Sequence, residues 1–276
     1  MATQGLINNN NDCFINSSLQ LLCRIGDFYK LTKHNNNKEI LLTNKIIYKL
    51  FNNKSLNHNV NKLKTIMKFN NEQHDPFDFL IKILDLVNDT EIIGTYIKKK
   101  FYSIVPKEKL INNIKKHKYY SSNQTHYNII EVFIEKNDDR ELQDIILCQS
   151  AKYILKNINN IKLRDIEYNN KHTNKAYEVI DYYFNKYVII RLQLFTFDSK
   201  KKKHSIILAT DNNIVFNDKN YTLKSIISHI GSSINHGHYI CYNYDNGIWY
   251  CYNDDQIYRS NDIQGDPYIL LYVLDK

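Results

Sequence analysis

Two short stretches near opposite ends of the chain carry the residue types of one hydrolytic site. The first holds a thiol, Cys13, where a helix is expected to begin. The second, within residues 221–255, holds His238 between a glycine and a tyrosine, followed further on by Asn253 and Asp254. A thiol, an imidazole and a group that orients the imidazole are the components of a cysteine protease, and they must meet in space rather than in sequence.

The helix that begins at Cys13 is the first element that has to position this chemistry. Asp12 is a favoured N-cap residue, and apolar side chains recur from Phe14 to Ile25 with helical spacing. A helix N-terminus stabilises a thiolate, whereas a neighbouring carboxylate opposes it, so we expect Asp12 to be engaged by the backbone N–H groups that it caps. The remaining cysteines fit buried apolar positions: Cys23, Cys148, Cys241 and Cys251.

His238 is the candidate general base. A general base needs access to the substrate, and the small residue before it, Gly237, allows a substrate backbone to approach closely. His229 and His236 lie on the same segment and stand as alternatives. A histidine taken alone is more often structural than catalytic, so the assignment of His238 depends on its partners.

Two kinds of partner are available for the thiol and the imidazole. Asn253 and Asp254 follow the next strand of an expected hairpin, which would place them beside His238, where one can accept the ring N–H and fix its tautomer. Asn8 lies five residues before the thiol, and its side-chain amide could donate to the oxyanion of an attacked carbonyl. Taken alone, as one asparagine in a run of four, Asn8 is better explained as a turn residue.

The composition indicates one large domain with no need of a cofactor or metal. A chain of 276 residues with 43% hydrophobic content can bury a single core. Five cysteines without a C-x-x-C pair disfavour both a disulfide framework and a structural zinc site. We see neither a secretory signal nor an apolar run that would span a bilayer, and therefore expect an intracellular protein. The net charge of +8 fits an AT-rich composition better than nucleic-acid binding.

Local patterns predict helices first and strands later, which is typical of an α+β domain. Helices are expected at 13–25, 38–50, 61–69, 76–87 and 142–149. Strands are expected at 128–135, 176–182, 187–198, 203–208, 238–244, 248–253 and 268–274, with a polar loop at 156–174. The sequence Asp245-Asn246-Gly247 predicts a tight hairpin between two of these strands.

These residues resemble the motifs of the ubiquitin-specific proteases, the papain-like deubiquitinases. In that resemblance Cys13 falls on the nucleophile, Asn8 on the oxyanion residue and His238 on the base. Asn253 falls on the residue that orients the base, and Asp254 on the acidic residue that follows it. Three further segments are similar to family signatures and stand in the same order along the chain: 73–80, 188–198 and 267–272.

The resemblance implies a single catalytic domain over residues 1–276, shaped like a hand. It divides into a helical thumb at about 1–100, β fingers at about 101–185 and a β palm at about 186–276. Ubiquitin would rest on the fingers, with its tail in a slot between thumb and palm. Asp75 and Asp78 would face the arginines of that tail, and Gly237 and Tyr239 would line the channel for its glycines. The alternatives are ordinary acids of a helix start and an aromatic core residue.

The sequence departs from the family pattern at four places. Asn10 replaces the glycine three residues before the nucleophile, and asparagine is the best non-glycine residue for a left-handed backbone. Asp12 replaces the usual threonine before the nucleophile, and Leu194 replaces an arginine of the central strand. The two C-x-x-C pairs of the fingers are missing, so we expect fingers that hold without zinc.

We therefore predict a thiol-dependent deubiquitinase that hydrolyses the isopeptide or peptide bond after the C-terminal glycine of ubiquitin. Its partners would be ubiquitin and ubiquitinated proteins, with no membrane and no nucleic acid. It would act as a monomer in the cytoplasm or nucleus. If it is a viral protein, these would be the compartments of a host cell. Three alternatives stay open: a protease for another ubiquitin-like modifier, a catalytically weak ubiquitin-binding protein, and a basic nucleic-acid-binding module. For the last, the basic run Lys200–Lys203 could contact phosphate or nucleic acid, but it has no flanking aromatic platform for stacking, and a solvated hairpin tip explains it better.

Overall fold

The computed structural model describes the chain in twelve segments: 4–9, 11–52, 54, 59–87, 89–104, 118–134, 142, 174–195, 201, 212–216, 218–233 and 236–275. Several sequence predictions lie outside these residues. They are the left-handed conformation of Asn10, the burial of Cys148, the loop 156–174, the strand 203–208, the helix 142–149 beyond its first residue, and the basic run apart from Lys201.

Five helices occupy the first third of the described chain: α1 (Cys13–Leu22), α2 (Phe28–Thr32), α3 (Lys38–Phe51), α4 (Asn59–Ile66) and α5 (Pro76–Val87). Four of them confirm predicted helices, within a few residues at the ends. The central one is α1, in which all ten residues are buried. It packs between the strands of the large sheet on one side and α3, α4 and α5 on the other. Cys13 is therefore held at the junction of the two layers.

Eleven strands are seen among the described residues, and only some were predicted. They are β1 (Thr95–Ile104), β2 (Lys118–Tyr127), β3 (Ile129–Val132), β4 (Asn174–Phe184), β5 (Tyr187–Leu192), β6 (Asn213–Phe216), β7 (Lys219–Ser233), β8 (His236–Asp245), β9 (Ile248–Asn253), β10 (Gln256–Ser260) and β11 (Asp266–Leu274). The predictions for β3, β4, β5, β8, β9 and β11 are confirmed, although β5 ends six residues earlier than expected. The prediction missed β1, β2, β6, β7, β10 and the short helix α2.

The strands form two sheets. The larger has the order β10-β9-β8-β7-β11-β5-β3, with β6 also paired to β7, and the smaller has the order β2-β1-β4. All neighbours in the large sheet run antiparallel except β3 and β5, which are parallel. The mixture of a helical layer and mainly antiparallel sheets confirms the predicted α+β class.

The hairpin between β8 and β9 sets the register of the site. Its two loop residues both have positive φ, 48° at Asn246 and 84° at Gly247, as a tight hairpin of matching twist requires. Asp245 therefore pairs with Ile248, and the ladder runs back to the pair of Cys241 and Tyr252. This register brings the end of β9 alongside the start of β8, where the predicted base and its partners lie.

A buried polar cluster fastens the helical layer to the large sheet. Asp75, just before α5, accepts hydrogen bonds from the Tyr268 hydroxyl of β11 and from Arg191 of β5, the latter at 3.4 Å. The Arg191 guanidinium also lies 4.0 Å from the centroid of the Phe77 ring. Because removing one partner of a buried ion pair leaves an uncompensated charge, this cluster constrains how α5 sits on the sheet.

Candidate active site

Cys13 is the first residue of α1 and is only 3% exposed. Burial raises the pKa of its thiol, and the backbone N–H of Tyr239 acts in the opposite direction by hydrogen bonding. The Asp254 carboxylate raises the pKa further, while the N–H groups of Phe14 and Cys13 at the helix start lower it. The net effect is a thiol that is protonated at rest, lying beside the main chain of the residue that directly follows His238.

The imidazole of His238 is held by the end of β9. Its Nε2 lies 2.7 Å from Asn253 Oδ1 and 3.7 Å from Asp254 Oδ2. An amide oxygen can only accept, so Nε2 carries the proton and donates it to Asn253. The lone pair of the neutral ring is then on Nδ1, which makes that atom the one able to take a proton. The His238 side chain is one-third exposed, so the ring remains accessible.

Asp254 connects the loop before α1 to the end of β9. Its two carboxylate oxygens accept the side-chain amides of Asn8, at 2.9 Å, and of Asn16, at 2.8 Å. Its carbonyl accepts the Leu6 N–H at 2.7 Å, and its own backbone has φ 53°. Asn16 was missed by the sequence prediction, although it is a polar residue on a wholly buried helix.

Asn8 is exposed and fixed at both ends of its side chain. Its Nδ2 donates to Asp254, and its Oδ1 accepts the Asp12 N–H at 2.8 Å. An amide nitrogen carries two hydrogens, so one N–H of Asn8 remains for a further acceptor. The structure thus brings Asn8, Asn253, Asp254 and His238 into one connected group at the start of α1.

The expectation that the Asp12 carboxylate caps the N–H groups at the start of α1 is wrong. Asp12 occupies the N-cap position but makes no capping hydrogen bond with its side chain. Its carboxylate instead meets Lys64 Nζ at 2.7 Å and accepts the N–H of Asn9, in the loop before the helix, at 3.3 Å. A long-range ion pair was available to Asp12, and this replaced the local cap.

Gly237 lies at the exposed start of β8 and is bracketed by two side chains. Gln73 Nε2 donates to the Gly237 carbonyl at 3.1 Å, and Gln73 Oε1 accepts the Gly237 N–H at 3.3 Å. On the other side, a Cβ on Gly237 would lie 2.2 Å from His229 Nε2. Gln73 stood within a recognised motif but had no predicted role; here it bridges the helical layer and the sheet across the cleft.

The two candidate acids for substrate binding lie in different environments. Asp78 is exposed in the first turn of α5. Asp75 is 7% exposed and is engaged by the chain's own Arg191 and Tyr268. Burial raises the pKa of the Asp75 carboxyl, and Arg191 counteracts this effect. Of the two acids, Asp78 is therefore the one presented to an incoming cation.

Tyr239 and His229 form part of the aromatic core beneath the site. The Tyr239 side chain is 1% exposed, with its ring centroid 4.9 Å from that of His229 and 6.0 Å from that of Tyr268. Burial lowers the pKa of His229 to about 4, so this histidine is uncharged and out of reach of solvent. His238 is the better placed of the two for proton transfer, and Tyr239 can face the cleft only with its main chain.

Within the described residues, no group of three or more histidine, cysteine, aspartate or glutamate side chains has the arrangement of a metal site. The same residues contain no helix with the length and apolar character needed to cross a membrane.

Comparison of the sequence with protein families gives one broad match. A family model described as ubiquitin carboxyl-terminal hydrolase matches residues 4–272, which is nearly the whole chain. A mouse protein, ubiquitin carboxyl-terminal hydrolase 29, is 44% identical over 46 residues. That stretch covers 16% of this chain and 5% of the mouse protein, so it relates a short segment only.

Comparison of the structure gives matches across the full fold. The SAGA deubiquitinating module containing Ubp8, Sgf11, Sus1 and Sgf73 aligns with a TM-score of 0.66 at 16% identity, covering 99% of this chain and 68% of the other. The same module bound to monoubiquitin aligns with a TM-score of 0.65 at 15% identity, covering 99% and 69%. At this level of identity the likeness establishes the fold.

Proposed function

Because the chain belongs to the ubiquitin carboxyl-terminal hydrolase family, we propose that it is a cysteine-type deubiquitinase with Cys13 as its nucleophile. The enzyme cleaves the isopeptide or peptide bond after the C-terminal glycine of ubiquitin. One observation carries this assignment. The thiol at the start of α1 lies against the main chain of Tyr239, directly after His238, whose ring is oriented by Asn253 at 2.7 Å.

The raised pKa of Cys13 makes His238 a general base in the first step rather than the partner of a preformed thiolate. His238 Nδ1 takes the thiol proton as the sulfur attacks the glycine carbonyl. The C–N bond then breaks, and the imidazolium gives its proton to the leaving amine. Water, deprotonated by His238, hydrolyses the thioester and restores the thiol. Asn253 keeps the ring in the required tautomer throughout.

Donors around the start of α1 would bind the oxyanion. The second N–H of Asn8 is available for this purpose, because only one is needed by Asp254. The backbone N–H groups at the first turn of α1 would donate to the oxyanion as well, and the positive end of the helix dipole would stabilise its charge. Asp254 then has a supporting role, since it fixes Asn8 and Asn16 while standing 3.7 Å from the imidazole.

The substrate tail would enter between α5 and β8. We propose that exposed Asp78 attracts the arginines of the tail, and that the exposed main chain at Gly237 lines the path of its glycines. For Asp75 we retain an indirect role, because its carboxylate is occupied by Arg191. Tyr239 contributes its backbone to the passage and its ring to the core.

We propose that the helices α1–α5 form the thumb, the sheet β2-β1-β4 the fingers and the eight-stranded sheet the palm. The palm then includes β3, which lies within the residues expected for the fingers. The expected boundary at residue 101 falls inside β1, so we place the start of the fingers at Thr95. We further propose that the protein acts inside the cell as a monomer, with ubiquitin and ubiquitinated proteins as partners and no nucleic acid.

The test is covalent capture by ubiquitin that carries an electrophile in place of its C-terminal carboxylate, followed by mapping of the modified residue. Wild-type protein and a Cys23→Ala variant should both be captured at Cys13, because Cys23 is buried with its pKa raised to about 12. Cys13→Ala should be inert towards the probe and should release no fluorophore from the ubiquitin C-terminus.

Parallel reactions with ubiquitin-like modifiers bearing the same electrophile test the choice of substrate. Faster capture by one of them than by ubiquitin would overturn the ubiquitin assignment and keep the nucleophile. Capture at a residue other than Cys13, or turnover by Cys13→Ala, would overturn the assignment of the nucleophile itself.

A further inference from the structure

A buried ion pair directly precedes the candidate nucleophile and has no part in the reaction described above. Lys64 Nζ lies 2.7 Å from Asp12 Oδ1, and the two side chains are 5% and 0% exposed. Lysine and aspartate are almost never this buried, since desolvating each charge costs several kcal/mol. A buried pair of charges next to Cys13 therefore indicates a role in this site.

The ion pair and the hydrogen bonds of Asp12 hold the loop before α1 in place. One oxygen of Asp12 receives Lys64, and the other receives the Asn9 N–H at 3.3 Å. The Asp12 N–H in turn donates to Asn8 Oδ1 at 2.8 Å. The side chain and the backbone of Asp12 thus fix Asn8 and Asn9 relative to Lys64 and to the start of α1.

The same contacts continue to the opposite wall of the site. The Asn8 side chain links the Asp12 N–H to the Asp254 carboxylate. Asp254 directly follows Asn253, which is the partner of His238. A chain of hydrogen bonds, which passes through the Asp12 backbone N–H, therefore runs from α4 to the end of β9. Lys64 anchors one end of this chain and Asp254 the other.

Lys64 lies in the last turn of α4, where the carbonyl end of the helix dipole favours a basic side chain. Nearby His74 has its pKa lowered, first by burial and then by the charge of Lys64. The helix end and the Asp12 carboxylate are thus both complementary to the Lys64 side chain.

We propose that Lys64 is a positioning residue for the reaction, whose ammonium holds Asp12 and through it the loop that carries Asn8 and leads into Cys13. This inference rests on the proposed role of Cys13 as nucleophile. It differs from a purely structural role, because loss of Lys64 should slow the chemical step in molecules that are fully folded.

The test uses three variants and a control from the same helix. Lys64→Met keeps the side-chain stem but strands the Asp12 carboxylate, and Asp12→Thr strands the ammonium instead. The double variant removes both charges and leaves a hydroxyl that can accept the Asn9 N–H. Lys62→Met alters an exposed charge of α4 and should behave as wild type.

The variants are compared by their kcat for a fluorogenic ubiquitin substrate. Each kcat is calculated per active enzyme molecule, which is counted by titration with the electrophilic ubiquitin probe. Either single change should lower kcat by about 100-fold, the scale of a misplacement of about 1 Å, with a much smaller change in KM. The double variant should be about as slow as either single variant, since all three lack the same ion pair.

Two results would overturn the proposal. One is a folded Lys64→Met enzyme with the wild-type kcat, whatever its thermal stability, because the pair would then serve stability alone. The other is a double variant with the wild-type kcat, because the single losses would then come from a stranded charge and not from loss of the ion pair. If Lys64→Met does not fold, Asp12→Thr and the double variant decide between the same outcomes. Capture of wild-type protein at Cys13 is measured first, so that failure of the proposed function is recognised separately.

Discussion

A single methyl group added at Gly237 should disable the enzyme without unfolding it. In Gly237→Ala the new Cβ would lie 2.2 Å from His229 Nε2 and 2.7 Å from the carbonyl oxygen of Ile230. Ordinary contact begins at 3.4 Å, so β8 and the atoms beneath it must separate by about 1.2 Å. His238 is the next residue, and its ring would move with the strand.

Neither neighbour can move aside cheaply. The Ile230 oxygen is backbone, in the ladder between β7 and β8. The His229 ring is fully buried, with ring centroids of Phe195 at 5.2 Å and Tyr239 at 4.9 Å. Overpacking of this kind typically costs about 1–3 kcal/mol of stability, which a folded domain survives. Displacing a general base by about 1 Å costs about 100-fold in rate, and this is the effect we expect on kcat.

The assay is release of a fluorophore from the ubiquitin C-terminus, with thermal unfolding recorded on the same samples. Gly26→Ala is the matched control, because its Cβ would meet only the Tyr187 hydroxyl, at an ordinary 3.4 Å. We expect Gly26→Ala to match wild type and Gly237→Ala to remain folded but about 100-fold slower. A Gly237→Ala enzyme within about threefold of wild type would refute the reasoning, since the clash would then not reach His238.

Two further predictions concern the histidines. Asn253→Ala should lower kcat by about 10- to 100-fold because the His238 tautomer is no longer fixed. Asn253→Asp still accepts the Nε2–H and should stay close to wild type. Equal activities of the two variants in steady-state kinetics would contradict this prediction. His229 has a folded-state pKa of about 4, below its value of about 6.5 in an unfolded chain, so the unfolded state takes up the proton first as the pH falls. Its contribution to stability is complete above pH 6.5 and declines by about 3 kcal/mol between pH 6.5 and pH 4, as urea unfolding at both pH values would show; a His229→Gln variant with an unchanged pH slope would argue against this origin.

Local signals predicted the elements that local physics determines. Pro76 begins α5, where its missing N–H has no helical partner to lose. Asn246 and Gly247 both adopt the positive φ that their side chains tolerate, and this fixes the hairpin carrying His238 and Asn253. The pairing of these two residues across β8 and β9 was therefore predictable before the structure was known.

Strands whose apolar pattern is interrupted were missed. The strand β7 is fifteen residues long and lies in the middle of the large sheet, yet Ser225, Ser228 and His229 break its apolar run. The strand β1 contains three consecutive lysines, which no alternating pattern accommodates. In both cases pairing with neighbouring strands outweighs local propensity, and single-sequence patterns do not report it.

The partners of charged residues were the least predictable part of the site. Asp12 and Lys64 are 52 residues apart, and Asp75 and Arg191 are 116 apart, so the sequence offered only local explanations for each acid. Asn16 is a different case. Because buried polar groups are nearly always hydrogen-bonded, an amide in a helix expected to pack against the core signalled an undiscovered partner, which proved to be Asp254.

Asp254 has two opposing effects on the nucleophile, and together they indicate what limits this site. Its charge raises the pKa of Cys13, while its carboxylate fixes Asn8 and Asn16 around the same thiol. Burial of the sulfur is the largest cause of the raised pKa. The thiol therefore starts protonated, and the rate depends on how well His238 is placed to remove the proton. It follows that changes that shift position, at Gly237 or Lys64, should cost more activity than changes that only adjust the charge near the sulfur.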